Sequence, residues 1–370
     1  MPSGAVAAAG AADMTASASG GMLNPFWAAS NWYFESNSQE IKNGSYQTTT
    51  SASSFSVQLD TNGFLKDYRI VVRSLGGVGG TPAADNPWNL FSNLTFQTPN
   101  GSEFFQPHPG YYYFLYQAYG RPWEGDPTQW YDYSQNINPS FTLKLAPELR
   151  YTAGTLPNMD SRRQYKVQGQ ISATSTIISG TSTTAPTITF ASGIDTWAQP
   201  DARDLMDRPN EAVPPGVALQ TYRRFATQTL NGASSSNTID ARSLTGNQQR
   251  LIMLCVRDSN NARQDYLTDP ITWTLDARTM AVYTQADLFG LMYDQYGTTA
   301  ASRPTGVYVF PRFFNPGSLV GQGWLETNGA TKEQWQSTTL SSATNVPGTV
   351  DIIIEDVVPL RGLPYELTNI

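Results

Sequence analysis

"LFGLMYDQYG", residues 288–297, reads as a helix within a chain whose other segments read as strands. Leu288, Phe289, Met292, Tyr293 and Tyr296 recur at helical spacing and make one apolar stripe. Thr284 and Asp287 stand where a capping box would open this helix, and Gly297 stands where a C-cap would close it. The phrase has a second copy. In "YYFLYQAYG", residues 112–120, Tyr112, Leu115, Tyr116, Tyr119 and Gly120 take the same relative steps as Phe289, Met292, Tyr293, Tyr296 and Gly297. The offset, 297 − 120 = 177, is close to half of the 370-residue chain.

The flanks repeat as well. "NLTFQTPNGSEFF", helix, "SFTLKLAP" is answered by "ITWTLDARTMAVY", helix, "GVYVFPRFF". Strand, turn, strand, helix, strand in the same order twice indicates internal duplication. Alternating apolar residues mark the strands: Phe55, Val57 and Leu59; Tyr68, Ile70 and Val72; Phe141, Leu143 and Leu145. Thr61-Asn62-Gly63 reads as a hairpin turn between the first two. Prolines and acids break the rhythm at 195–216, which reads as the connection between two halves. The expected division is a flexible arm at 1–44, a first β-unit with linker at 45–210, a second unit at 211–358 and a tail at 359–370. Two units of this size suit two tandem β-sandwiches, each with one core. Periodicity by itself leaves a jelly roll and other Greek-key sandwiches open.

Composition narrows the function. Only 14% of residues are charged, against ~25% in ordinary soluble proteins, while Tyr (19), Phe (16) and Trp (9) are abundant. This low charge density suggests that much nominal surface lies against other protein, over contacts that are mainly apolar or neutral. A net charge of −7 without a basic cluster argues against direct nucleic-acid binding. Cys255, the only cysteine, lies in the apolar run "RLIMLCVRD" and reads as a buried thiol, in keeping with folding in a reducing cytosol. No apolar run reaches the ~18 residues that a membrane-spanning helix needs. The opening Ala/Gly/Ser stretch lacks the basic and leucine-rich regions of a signal peptide and reads as a flexible arm.

These features together resemble the double jelly-roll major capsid proteins of tailless, membrane-containing icosahedral phages, the tectivirus-like lineage. The residues that carry the likeness are the half-chain echoes, the "QYG…GVYVFPRFF" passage and "LETNGATKEQWQSTT" before a final apolar strand. "LAPELRYTAGTLPNMDSRRQYKVQGQI" belongs with them, and the likeness spans about residues 45–358. The resemblance implies an all-β fold of two eight-stranded jelly rolls with short loop helices. It further implies a pseudo-hexagonal homotrimer that tiles an icosahedral shell in the virion, assembled in the host cytoplasm. Its implied partners are copies of itself, minor capsid and vertex proteins, and an internal viral membrane. The duplicated helices, with Tyr112, Leu115, Tyr116, Tyr119, Phe289, Met292, Tyr293 and Tyr296, would then be buried between rolls.

No catalytic, cofactor or metal constellation competes with this reading. His108, the only histidine, stands between prolines in "FFQPHPG" and reads as a loop residue, so a Ser-His-Asp triad or multi-histidine zinc site is not available. "GGVGG" at 76–80 is followed by neither Gly-Lys-Ser/Thr nor a helix pattern and reads as a flexible connection. Asp201, Asp204 and Asp207 offer oxygen ligands of a kind calcium uses, but their spacing is not an EF-hand's, and Arg203 and Arg208 can pair with them. Asp126 and Asp132 flank "PTQWYDY" without a supporting catalytic set. An enzyme is therefore not expected. The alternative is a carbohydrate-binding jelly-roll protein, such as a lectin, adhesin or receptor-binding spike, using exposed Trp and Tyr platforms. Phe26, Trp27, Trp32, Tyr33 and Phe34 crowd the end of the arm and are candidates for contact with membrane or a neighbouring trimer, or for plugging the first roll.

Overall fold

The computed structural model describes residues 38–49, 51–120, 138–149, 154–198, 219–232, 235–241, 243, 245–299, 301–311, 324–327, 329–339 and 347–359. The first half holds β1 (Ser38–Thr49), β2 (Ser53–Gln58), β3 (Phe64–Leu75), β4 (Val78–Pro82), β5 (Phe91–Gln97), β6 (Glu103–His108) and helix α1 (Gly110–Tyr119). It continues through β7 (Ser140–Leu145), β8 (Leu156–Pro157), β9 (Lys166–Ile171), β10 (Ile178–Thr184) and β11 (Thr187–Trp197). The second half holds β12 (Leu219–Thr229), β13 (Ser236–Asp240), β14 (Gln248–Asp258), β15 (Leu267–Leu275), β16 (Arg278–Tyr283) and helix α2 (Gln285–Tyr296). It ends with β17 (Val307–Pro311), β18 (Leu325–Glu326), β19 (Glu333–Thr339) and β20 (Pro347–Pro359).

In the first half, β1-β11-β3-β7 forms one sheet and β2-β9-β5-β6 the other. In the second half, the sheets run β12-β20-β14-β17 and β13-β19-β15-β16. With the short inserts β4, β8, β10 and β18 set aside, both halves have the order 1-8-3-6 over 2-7-4-5, the jelly-roll topology. Both helices fall between the fifth and sixth strands of their roll. The rolls also share a sheet: β6 meets β12 in parallel, with Phe105 opposite Arg223, and this makes a nine-stranded sheet when β18 is included.

Strand composition follows from what covers each face. In β3, Tyr68, Ile70 and Val72 point into the first core while Arg69, Val71 and Arg73 turn outward, so the strand alternates. β14 is apolar from Leu251 to Val256 because both its faces are covered there. Ile252, Leu254 and Val256 fill the second core, whereas Leu251, Met253 and Cys255 join the first-roll cluster that contains α1. β20 does the same with Ile352 and Ile354 on one face and Ile353 on the other.

Four readings need correction. β1 begins at Ser38, inside the segment expected to be an arm, and pairs with β11 along its length. β2 and β3 do not form a hairpin; they lie in opposite sheets, and Thr61-Asn62-Gly63 turns the corner between them. The glycine-rich stretch at 76–80 enters β4, which pairs with β10. His108 is the last residue of β6 and fully buried, not a loop histidine. The expected connection beyond residue 198, Asp201, Asp204 and Asp207, Asp126 and Asp132, the arm aromatics Phe26, Trp27, Trp32, Tyr33 and Phe34, and the tail after 359 lie outside the described residues.

Gly63 has φ +47°, and a Cβ there would stand 2.0 Å from the Trp197 carbonyl oxygen. Main chain cannot yield as a side-chain tip can. Gly63→Ala is therefore expected to destabilise the protein by ~2–4 kcal/mol in chemical denaturation; a loss below ~0.5 kcal/mol would show that this corner is not tight.

Candidate functional site

The seam between the rolls is built on α1. Pro109 precedes the helix at φ −57°, ψ 147°, and every residue of Gly110–Tyr119 is buried. One side of α1 serves the first roll: Phe114 stacks on Trp88 at 4.8 Å, and the Tyr113 hydroxyl donates to the Leu94 carbonyl at 3.0 Å. The other side serves the second roll. Tyr112 donates to the Asp351 carboxylate, and Tyr116 donates to the carbonyls of Ile354 (2.9 Å) and Arg224 (3.2 Å), two residues directly paired across β20 and β12. At the helix C-terminus, Arg250 donates to the Gly120 carbonyl, placing a cation where the helix dipole is negative.

Buried ions bracket the helix. Glu355 takes Arg250 at 2.7 Å and Arg223 at 3.3 Å, with all three side chains 3% exposed or less. The Arg223 guanidinium also lies 4.4 Å above the Phe105 ring and 4.7 Å above Tyr116, and it donates to the Ala146 carbonyl. At the opposite end of α1, Asp85 of the first roll sits between Arg257 (2.7 Å) and Arg263 (2.6 Å) of the second, with Tyr111 4.8 Å beneath Arg263. Several of the chain's few charges are thus buried at this seam. Ion pairs at this seam within the chain are dry and hydrogen-bonded rather than solvated.

The duplicated helices touch. The Tyr296 hydroxyl donates to the Tyr119 carbonyl at 2.8 Å, and the two rings pack edge to face at 5.1 Å, so residues separated by the repeat offset are neighbours. Of the stripe residues, Tyr112, Leu115, Tyr116, Tyr119, Met292 and Tyr296 are buried and Phe289 is half-buried. Tyr293 departs from the stripe and is 59% exposed. α2 otherwise follows its sequence: Thr284 and Asp287 form the capping box, and Gly297 closes the helix in the left-handed conformation.

Sequence reading missed the charged half of the seam. Arg223 and Arg224 in "TYRRF", Arg250 and Arg257 around "LIMLCV", and Glu355 and Asp356 after "DIII" are ions set within buried strands. That placement, in a chain so poor in charge, was the available signal. Cys255 is buried as expected, and burial pushes its thiol up to about 12. Among the described residues no group of three or more His, Cys, Asp or Glu side chains could hold a metal ion, and no helix is long and apolar enough to cross a membrane.

Two buried groups give the seam opposing pH responses. Burial holds His108 down at about 4, and the positive charge of Arg223 acts in the same direction. Its Nε2 lies 3.3 Å from the Tyr116 hydroxyl. Burial raises Asp356 to about 6 even though Arg224 Nε, 2.6 Å away, pulls it down. As pH falls, the unfolded chain protonates His108 near 6.5, before the folded chain does, so this group withdraws stability between pH 6.5 and about 4. Asp356 has the opposite sign: the folded carboxyl protonates first, so its contribution grows as pH falls from about 6 toward 3.8. His108→Asn is therefore expected to lose about 2 kcal/mol less than wild type between pH 7 and pH 4.5 in paired denaturation experiments; parallel losses would exclude His108 as a source of acid sensitivity.

No family model matches this sequence, and no curated protein matches it. Solved structures do match over nearly the whole chain. PBCV-1 VP54, a crystal structure fitted into a reconstruction of the virophage Sputnik, is similar with TM-score 0.63 and 12% identity, over 87% of this chain and 93% of that one. The MCP of STIV is similar with TM-score 0.61 and 10% identity, over 89% and 98%. The major capsid protein of bacteriophage PM2 is similar with TM-score 0.56 and 9% identity, over 87% and 98%. Strand order, paired helices and this likeness agree: the chain has the double jelly-roll fold seen in these viral capsid proteins.

Proposed function

We propose that this chain is a major capsid protein that assembles through itself, as homotrimers, into an icosahedral virion shell around an internal membrane. The observation that carries the reading is the seam: two rolls of one topology stand side by side, with α1 of the first gripped by β12, β14 and β20 of the second. A head-to-tail contact that can be repeated closes into a ring when the rotation allows. With two rolls per chain, a ring of six rolls takes three copies. The capsid proteins that share the fold support the same assignment.

Minor capsid and vertex proteins belong to this proposal as partners, as does membrane or neighbour contact by Phe26, Trp27, Trp32, Tyr33 and Phe34. Assembly in the host cytoplasm belongs to it too, and so does a structural rather than catalytic role. The carbohydrate-binding alternative gains no support from the described tryptophans, since Trp88, Trp273 and Trp335 are buried and Trp197 and Trp324 are half-buried, which leaves no flat exposed indole among them.

Size-exclusion chromatography with light scattering is expected to give three times 40.5 kDa, and concentrated protein is expected to form shells or sheets visible by electron microscopy. A folded monomer at all concentrations, or a monomer retained on immobilised glycans, would overturn the proposal.

A further inference from the structure

The strand registers superpose the rolls residue by residue. β3 meets β8 as Leu65 opposite Leu156, and β14 meets β18 as Gln249 opposite Leu325. Tyr68 stands opposite Ile194 and Leu145, and Ile252 stands opposite Ile354 and Phe310. Each roll also skips one residue at the same step, Lys66 between Leu65 and Asp67 and Arg250 between Gln249 and Leu251. Lys66 therefore corresponds to Arg250, Ala191 to Asp351 and Ile194 to Ile354, while the pairings Ile41–Ile194 and Arg224–Ile354 make Ile41 the counterpart of Arg224. Along the helices, the sequence offset matches Tyr112 with Phe289, Tyr116 with Tyr293 and Gly120 with Gly297.

The second roll holds α1 at three points, through Asp351, through the paired carbonyls of Arg224 and Ile354, and through Arg250. The operation that carries the first roll onto the second carries α1 onto α2, and among the described residues no third roll covers the corresponding face of α2. The first roll of a second copy has the matching parts. Where Tyr112 meets Asp351, the counterparts are Phe289 and Ala191, so hydroxyl and carboxylate disappear together. Where Tyr116 meets two carbonyls, Tyr293 keeps its hydroxyl and the acceptors are main chain. Where Arg250 meets the Gly120 carbonyl, Lys66 keeps a positive charge, and α2 has no basic residue in its last turn. Charge adds a smaller term: Asp287 and Asp294 are exposed on α2, with Arg303 over the Phe289 ring. On the outer side of the first roll Arg69 pairs with Asp195, Lys144 with Asp67, Lys66 lies over Trp197 beside Glu148, and Arg73 is exposed. Tyr116 is fully buried and Tyr293 is 59% exposed.

We propose that the exposed face of α2, centred on Tyr293, docks on the outer side of the β1–β11 pair in the first roll of a second copy of this chain. This contact rests on the trimer reading above and assigns its surfaces. It reproduces between copies the grip that the second roll has on α1 within the chain, with an apolar pair in place of Tyr112–Asp351.

The test introduces Tyr293→Cys and Ala191→Cys together and treats the full-length protein with a short bis-maleimide, Cys255 being buried and unreactive. Denaturing gels should show linked dimers and trimers for the double variant and none for either single variant. Tyr293→Asp should raise the protein concentration needed for trimers by ~30-fold or more, with little change in monomer melting, because the new charge is desolvated only between copies. Trimers by light scattering that neither cross-link nor respond to Tyr293→Asp would overturn the assigned surface and leave the trimer standing. Monomers alone would overturn both.

Discussion

Glu355 lies in the middle of β20 with its side chain about 1% exposed, and two guanidinium groups from different strands reach it. A lone carboxylate there would carry a desolvation penalty of several kcal/mol. Arg223 and Arg250 offset it, and each does something further. Arg223 lies over the rings of Phe105 and Tyr116, and Arg250 closes the C-terminus of α1. The pairing therefore acts on orientation as much as on stability. Apolar burial could hold the rolls together at several angles, but Glu355, its arginines and the Tyr116 carbonyl contacts are compatible with one.

From that constraint follows the unequal use of the two helices. α1 is enclosed because the second roll lies beside it, and its tyrosines find acceptors in strands more than a hundred residues away. α2 is longer, 12 residues against 10, and better capped, yet only Leu288, Met292 and Tyr296 are buried. The difference is in what stands beside each helix: the second roll lies against α1, while among the described residues no further roll lies against the exposed face of α2. Sheet faces differ in the same way. The outer face of β14 is apolar and covered at Leu251, Met253 and Cys255, whereas that of β3 carries Arg69, Val71 and Arg73.

Much of this is legible in the sequence. Apolar alternation gave the strands, the repeat at 177 residues gave two like units, and the Thr284–Asp287 box and Gly297 bounded α2. The hairpin read at Thr61-Asn62-Gly63 failed because a glycine turn specifies a change of direction and not which sheet the next strand enters; β3 pairs with β7 and β11, far along the chain. His108 was misread because flanking prolines suggest a loop, while its burial comes from Phe225 and the α1 tyrosines, contacts that local sequence does not contain.

Sequence alone determined the local terms: which segments extend, where two helices begin and end, and that the chain is duplicated. Tertiary structure decided which copies meet. The contact of Tyr119 with Tyr296, the pairing of Arg223 and Arg250 with Glu355 and the burial of Tyr116 but not Tyr293 depend on two rolls being held edge to edge. Propensity and periodicity act over a few residues, whereas burial and ion pairing depend on what stands opposite in space, and two stretches with nearly the same pattern end in different surroundings for that reason.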